Sequence, residues 1–208
     1  MKKALFIVIC LFLILSALSA QEYEDALLLY RNGKYEEAIE VCLQELEEMP
    51  GRMDSYVVLG WSLLGLNRYE EALEYTEKAY GFTPSDYRII EILGETHFYL
   101  GNNQEALRFF EEYTVLSPTG DRIETVYYLM GEIFIRLGEY NHADIAFSTA
   151  LYHYPNSANW WARLGYAREM ARDYTWAIDA YSKALKLNAA HNEALRGKDR
   201  VEKALGNG

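Results

Sequence analysis

Three prolines, Pro50, Pro84 and Pro118, stand 34 residues apart, and a fourth, Pro155, follows 37 residues after the third. Each closes a near-copy of one pattern. A fixed period of this length builds a solenoid, in which every unit packs only on its neighbours. Such a chain makes an extended binding surface rather than a closed catalytic pocket. Aligned on the prolines, the units run 19–52, 53–86, 87–120, 124–157 and 158–191, with Asp121, Arg122 and Ile123 inserted between the third and the fourth.

Each recurring position has a physical reading. Gly60, Gly94, Gly131 and Gly165 fall mid-helix, where glycine costs roughly 1 kcal/mol relative to alanine, so their recurrence predicts a close approach by a neighbouring helix. Gly33, Gly101 and Gly138 fall where a first helix should stop in the left-handed conformation. Ala38, Ala72, Ala106, Ala143 and Ala177 are small contacts opening each second helix, and apolar residues recur at three- and four-residue spacing through both helices. The prolines then end the second helices.

This pattern resembles the tetratricopeptide repeat family, in five consecutive units in register. The resemblance implies an all-α fold: an α-solenoid of five helix pairs wound as a right-handed superhelix, closed over residues 192–208 by a polar C-terminal capping helix and tail. That helix is expected to place Ala194, Leu195, Val201, Ala204 and Leu205 on its packed side. The first unit departs most from the pattern: Ala26 replaces the helix glycine, and Cys42 and Glu45 replace the usual aromatic and alanine. Degeneracy is what an end unit facing water predicts.

At the N-terminus, Lys2-Lys3 precedes an apolar run and a small-residue exit ending at Ala20, the plan of a secretory signal peptide over residues 1–20. The expected location is therefore outside the cytoplasm, in the periplasm, the cell envelope or the medium. If the segment is not cleaved, residues 4–20 form a membrane anchor. Export leaves Cys42 alone, at a position the family buries, and so a small hydrophobe.

The net charge of −11 becomes −13 without Lys2 and Lys3, which disfavours nucleic acid and anionic membranes as partners. Charge is polarised, with nine acids against two bases in residues 21–50 and nine bases against six acids in residues 158–208, an arrangement compatible with end-to-end self-association. No motif for a nucleophile, a phosphate loop or a metal site is present, so the chain is expected to be no enzyme and to need no cofactor. His97 falls at a packing position, and His142 and His153 are too far apart to share one metal ion. The pairs Glu36-Glu37, Glu70-Glu71 and Glu111-Glu112 are adjacent and make a charged face.

In the resembled family the first helix of each unit lines a concave groove. Carried onto this sequence, that implies Trp61 and Leu64 from the second unit, and Glu91, Glu95, Phe98 and Tyr99 from the third. It further implies Tyr128 and Glu132 from the fourth, Tyr166 and Glu169 from the fifth, and Tyr23, Leu27 and Tyr30 from the poor first unit. The lysine- and asparagine-rich clamp of the family's chaperone-binding members is missing at the matching positions. A diagonal of glutamates between aromatic rings predicts instead an extended protein segment carrying Lys or Arg and apolar side chains, with Arg88 and Arg136 placed to neutralise part of the stripe. The alternatives are a cell-envelope assembly factor acting through its convex face or through self-association, and a glycan or cell-wall binder using its tyrosines and tryptophans.

Overall fold

The computed structural model describes residues 25–206. The leader assigned to residues 1–20 and Tyr23 lie outside them. The described residues form α-helices and no strand, in the order α1 Ala26–Arg31, α2 Tyr35–Glu48, α3 Met53–Gly65, α4 Tyr69–Phe82, α5 Tyr87–Leu100, α6 Asn103–Leu116, α7 Ile123–Leu137, α8 Tyr140–His153, α9 Ala158–Met170, α10 Tyr174–Leu187 and α11 Asn192–Gly206. They pair as antiparallel hairpins, α1 with α2 through α9 with α10, and α11 closes the array.

The sequence signals act where chemistry puts them. The residue before each proline is barred from helical geometry, and Met49, Thr83, Ser117 and Tyr154 all sit at φ between −133° and −142°. Asn188, before Ala189, holds φ −143° without a proline, so the stacked units themselves impose this turn. Gly101 and Gly138 end their helices at φ 80° and 75°, and in other units the same left-handed turn is made by Asn67 at 59° and Arg172 at 64°. A β-carbon in this region is strained. Arg172→Gly is therefore expected to raise stability by about 0.5–1 kcal/mol, read as a higher urea midpoint at unchanged slope.

The first helices form the spine. Every residue of α5 from Ile89 to Phe98 is buried, whereas α4 buries only Ala72, Thr76 and Ala79 and turns its other sides to water. The glutamate pairs that open α2 and α4 lie in the first turn, where the helix dipole favours negative charge.

The recurring helix glycines answer to a ring. A β-carbon on Gly94, Gly131 or Gly165 would meet Phe110 at 2.5 Å, Phe147 at 2.6 Å or Tyr181 at 2.6 Å, each from the second helix of the same unit. At Gly60 the neighbours are Thr76 and Ile92, at 3.0 Å or more. The first unit carries the small Cys42 opposite Ala26, both buried; burial pushes the Cys42 thiol up to about 12, where it stays a neutral hydrophobe.

The closing helix is turned relative to the sequence expectation. α11 buries Ala194, Gly197 and Val201, while Leu195, Ala204 and Leu205 remain exposed. The reason is steric: the Tyr181 ring already fills the space at Gly165 and needs a second residue without a β-carbon, Gly197, on its other side.

Candidate functional site

The first helices α1, α3 and α5 and the loop between α6 and α7 enclose an open cavity of about 690 Å3. Its walls are aromatic. Tyr30 stacks on Trp61 at 5.6 Å between ring centres, and Tyr99 lies parallel to Tyr69 at 4.9 Å. Leu27, Leu64, Tyr35, Tyr87 and Tyr113 complete the apolar lining. A second recess of about 490 Å3 continues past Trp61 and Arg88 toward Asp25 and Arg52.

The floor is charged and closed on itself. Glu91 and Glu95, one turn apart on α5, are 2% and 7% exposed. Arg122 lies across both: its Nε donates to Glu91 Oε1 at 3.0 Å and its Nη2 donates to Glu95. Trp61 Nε1 donates to the other oxygen of Glu91 at 3.3 Å. Burial, then the neighbouring Glu95 carboxylate, push Glu91 up to about 8. Burial opposes the charge of Arg122, but the two glutamates outweigh it and raise its pKa.

The same construction recurs along the concave side. Arg163 on α9 grips Glu132 with two donors at 2.6 and 2.7 Å, and Arg200 on α11 grips Glu169 at 2.7 and 2.8 Å. Tyr181 also donates to Glu169 at 2.6 Å. Burial opposes ionisation of Glu169, but these donors win and lower its pKa. In all three cases the arginine stands 31 residues after its glutamate.

Of the residues the sequence places in the groove, Trp61, Leu64, Glu91, Glu95 and Tyr99 come together at this cavity, with Leu27 and Tyr30. Phe98, Tyr128, Glu132, Tyr166 and Glu169 do not line it. Phe98 is buried under Arg136, whose guanidinium carbon lies 4.0 Å from the ring centre. Tyr128 stacks on Trp160 at 4.9 Å, and Arg163 lies 5.3 Å from the Tyr166 ring centre. The neutralising arginines differ from those expected. Arg88 bonds Asp86 and Asp54, and Arg136 bonds the Phe98 carbonyl; Arg122, Arg163 and Arg200 meet the stripe instead. The 31-residue Glu–Arg spacing was the signal in the sequence. It is just short of the repeat, so the guanidinium arrives from the next layer. His97 stacks on Phe109 at 5.5 Å in the interior, where burial lowers its pKa.

The tetratricopeptide repeat family matches residues 57–121 and 128–192, and the chain belongs to that family. Residues 2–79 also match the family described as anaphase-promoting complex, cyclosome, subunit 3. By sequence, no curated protein matches the chain. Among solved structures it is similar to pilF of Pseudomonas aeruginosa (18% identity, TM-score 0.74, 87% of this chain and 81% of that one). It is also similar to MamA of Desulfovibrio magneticus RS-1, with 18% identity, a TM-score of 0.70 and coverage of 80% and 93%. Cut9, from the APC/C hetero-tetramer Cut9–Hcn1, aligns at 19% identity and TM-score 0.73 over 85% of this chain and 35% of that one. These likenesses establish the solenoid fold. Among the described residues, no helix is long and apolar enough to cross a membrane.

Proposed function

We propose that the chain is an exported, non-enzymatic adaptor that holds an extended segment of a partner protein in the groove of its first three units. The segment carries apolar side chains and at least one Lys or Arg. The cavity walled by Tyr30, Trp61, Leu64 and Tyr99 carries this reading. Three successive first helices contribute to it, so a bound strand would cross unit boundaries. Rings supply contact area at low entropic cost, and a cation over a ring face gains roughly 0.5–2 kcal/mol. The leader at residues 1–20 supports export. Because the groove glutamates are already paired, apolar and aromatic contact should dominate affinity and salt should weaken it little.

Tyr99→Ala, which removes a half-exposed ring, and Trp61→Ala should each weaken binding of a partner captured from the envelope fraction by tenfold or more, as central aromatic anchors do. Thermal unfolding of the Tyr99 variant should stay close to wild type. Equal retention of the partner by both variants refutes the groove reading.

One observation favours a second reading, assembly through the convex face. Ile145, Tyr152 and Trp176 are 66%, 83% and 58% exposed, and Tyr152 and Trp176 flank a cleft of about 240 Å3 that Trp161 and Lys183 also line. Loss of the partner from Tyr152→Ser/Trp176→Ser but not from Tyr99→Ala would move the site there.

A further inference from the structure

Arg122 reaches the groove from outside the repeat pattern. It belongs to the three residues that interrupt the 34-residue period, and it sits in the α6–α7 loop as the residue before α7, with φ −116° and ψ 6°. The guanidinium reaches back over α5, where it fills the gap between two buried carboxylates at the edge of the aromatic cavity. Arg163 and Arg200, the equivalents farther along, project from helices. Among these three, only Arg122 is carried by a loop.

Exposure within the cluster is uneven. The Glu91 side chain is 2% exposed and that of Glu95 10%, whereas the Arg122 side chain is 45% exposed. The carboxylates cannot leave without opening the core of α5. The arginine can, by a change in its loop and side chain alone. What replaces it must be planar, cationic and able to donate to two carboxylates at once, which is the geometry of a guanidinium rather than an ammonium. The flanking faces of Tyr30, Trp61 and Tyr99 suit the same group.

We infer that Glu91 and Glu95 form a guanidinium-binding site for an arginine of the partner segment, occupied in the unbound protein by Arg122 from the α6–α7 loop. This rests on the groove reading above and adds to it a built-in competitor. The exchange leaves the buried charge unchanged, since one guanidinium replaces another. Apolar contacts of the incoming segment then decide the equilibrium. A cis occupant lowers apparent affinity by the fraction of time the site is empty, so removing it should strengthen binding.

The probe is the capped tripeptide acetyl-Leu-Arg-Leu-amide, compared with its citrulline analogue, which keeps the shape and loses the charge. Titrations followed by tryptophan fluorescence, to which Trp61 is the one of the four tryptophans contributing from the cavity wall, use wild-type protein, Arg122→Ala, and Arg122→Ala with Glu91→Gln and Glu95→Gln. The expected result is arginine-peptide affinity about tenfold higher for Arg122→Ala than for wild type, no gain for citrulline, and loss of the gain in the triple variant. Equal affinity in wild type and Arg122→Ala, equal affinity for the two peptides, or no binding up to the solubility limit overturns the exchange.

If Arg122→Ala does not fold, the wild-type protein decides through the Arg122 Nε–Hε NMR resonance. That signal should move to the position of a solvated arginine on adding the arginine peptide and stay still with citrulline. An unmoved signal at saturation overturns the proposal. Failure here while Tyr99→Ala still releases the partner leaves the groove reading intact, whereas retention of the partner by Tyr99→Ala and Trp61→Ala removes both.

Discussion

Gly131→Leu is expected to abolish the cooperative unfolding transition of the array, whereas Gly60→Ala should leave it nearly unchanged. The two glycines occupy the same place in the repeat but face different neighbours. A single β-carbon at Gly131 meets three ring atoms of Phe147 at 2.6 to 2.9 Å. That ring is fully buried and packs in the same cluster as Leu164 and Ala143, with no free direction in which to move. Overpacking of this kind costs typically 1–3 kcal/mol for small additions, and leucine adds four carbons rather than one. A small domain has only about 5–15 kcal/mol to lose. Each unit is held by its neighbours alone, so collapse of the fourth removes the support of the third and the fifth. At Gly60 a β-carbon meets methyl ends of Ile92 and Thr76 at 3.0 to 3.2 Å, and the gain in helix propensity, about 1 kcal/mol, offsets the strain. Circular dichroism during urea unfolding reads both. A folded Gly131→Leu protein with a near-native midpoint would show that the ring and the glycine are not a matched pair.

Arg122→Ala should destabilise the protein by about 1–2 kcal/mol in mildly alkaline solution, because it leaves two buried carboxylates without their donor while the lost guanidinium was itself half-exposed and screened. The loss should shrink in acid. Glu91 titrates in the folded state well above its unfolded value, so the folded protein binds the extra proton between the usual carboxylate range and about pH 8. Its contribution to stability is complete below that range and is lost as pH rises through the folded value. Without the guanidinium, which holds the Glu91 pKa down, burial acts on Glu91 with less opposition, and this extends the same trend. Urea midpoints at about pH 5.5 and about pH 8.5 should therefore diverge more for Arg122→Ala than for wild type, by up to roughly 1.4 kcal/mol per pH unit per proton. Adding Glu91→Gln and Glu95→Gln should recover most of the loss and flatten the pH dependence. A pH-independent loss would mean that Arg122 acts through packing rather than charge.

The architecture was legible because it rests on local rules repeated five times. Proline bars helix at the residue before it, glycine admits the left-handed turn at Gly101 and Gly138, and apolar spacing sets which side of each helix is covered. None of these needs a distant partner, so the period alone assigns the helix pairs. The groove was half legible. Trp61, Leu64, Glu91, Glu95 and Tyr99 meet at one cavity because unit position fixes which helix face is concave. The state of their charges was not legible. A row of glutamates reads as a ligand for bases until the next layer is in place and each one is found holding an arginine, from 31 residues on for Glu91, Glu132 and Glu169 and from 27 for Glu95.

The sequence by itself determined the solenoid, the helix ends and the burial of Cys42, all of which follow from short-range sterics and periodicity. The tertiary structure decided three things: which ring each mid-helix glycine accommodates, how the closing helix turns Gly197 onto Tyr181, and that the three-residue insertion returns Arg122 to the groove. These depend on distances between layers. A side chain as long as arginine reaches past its own unit, and where it lands is set by the stacking rather than by its position in the chain.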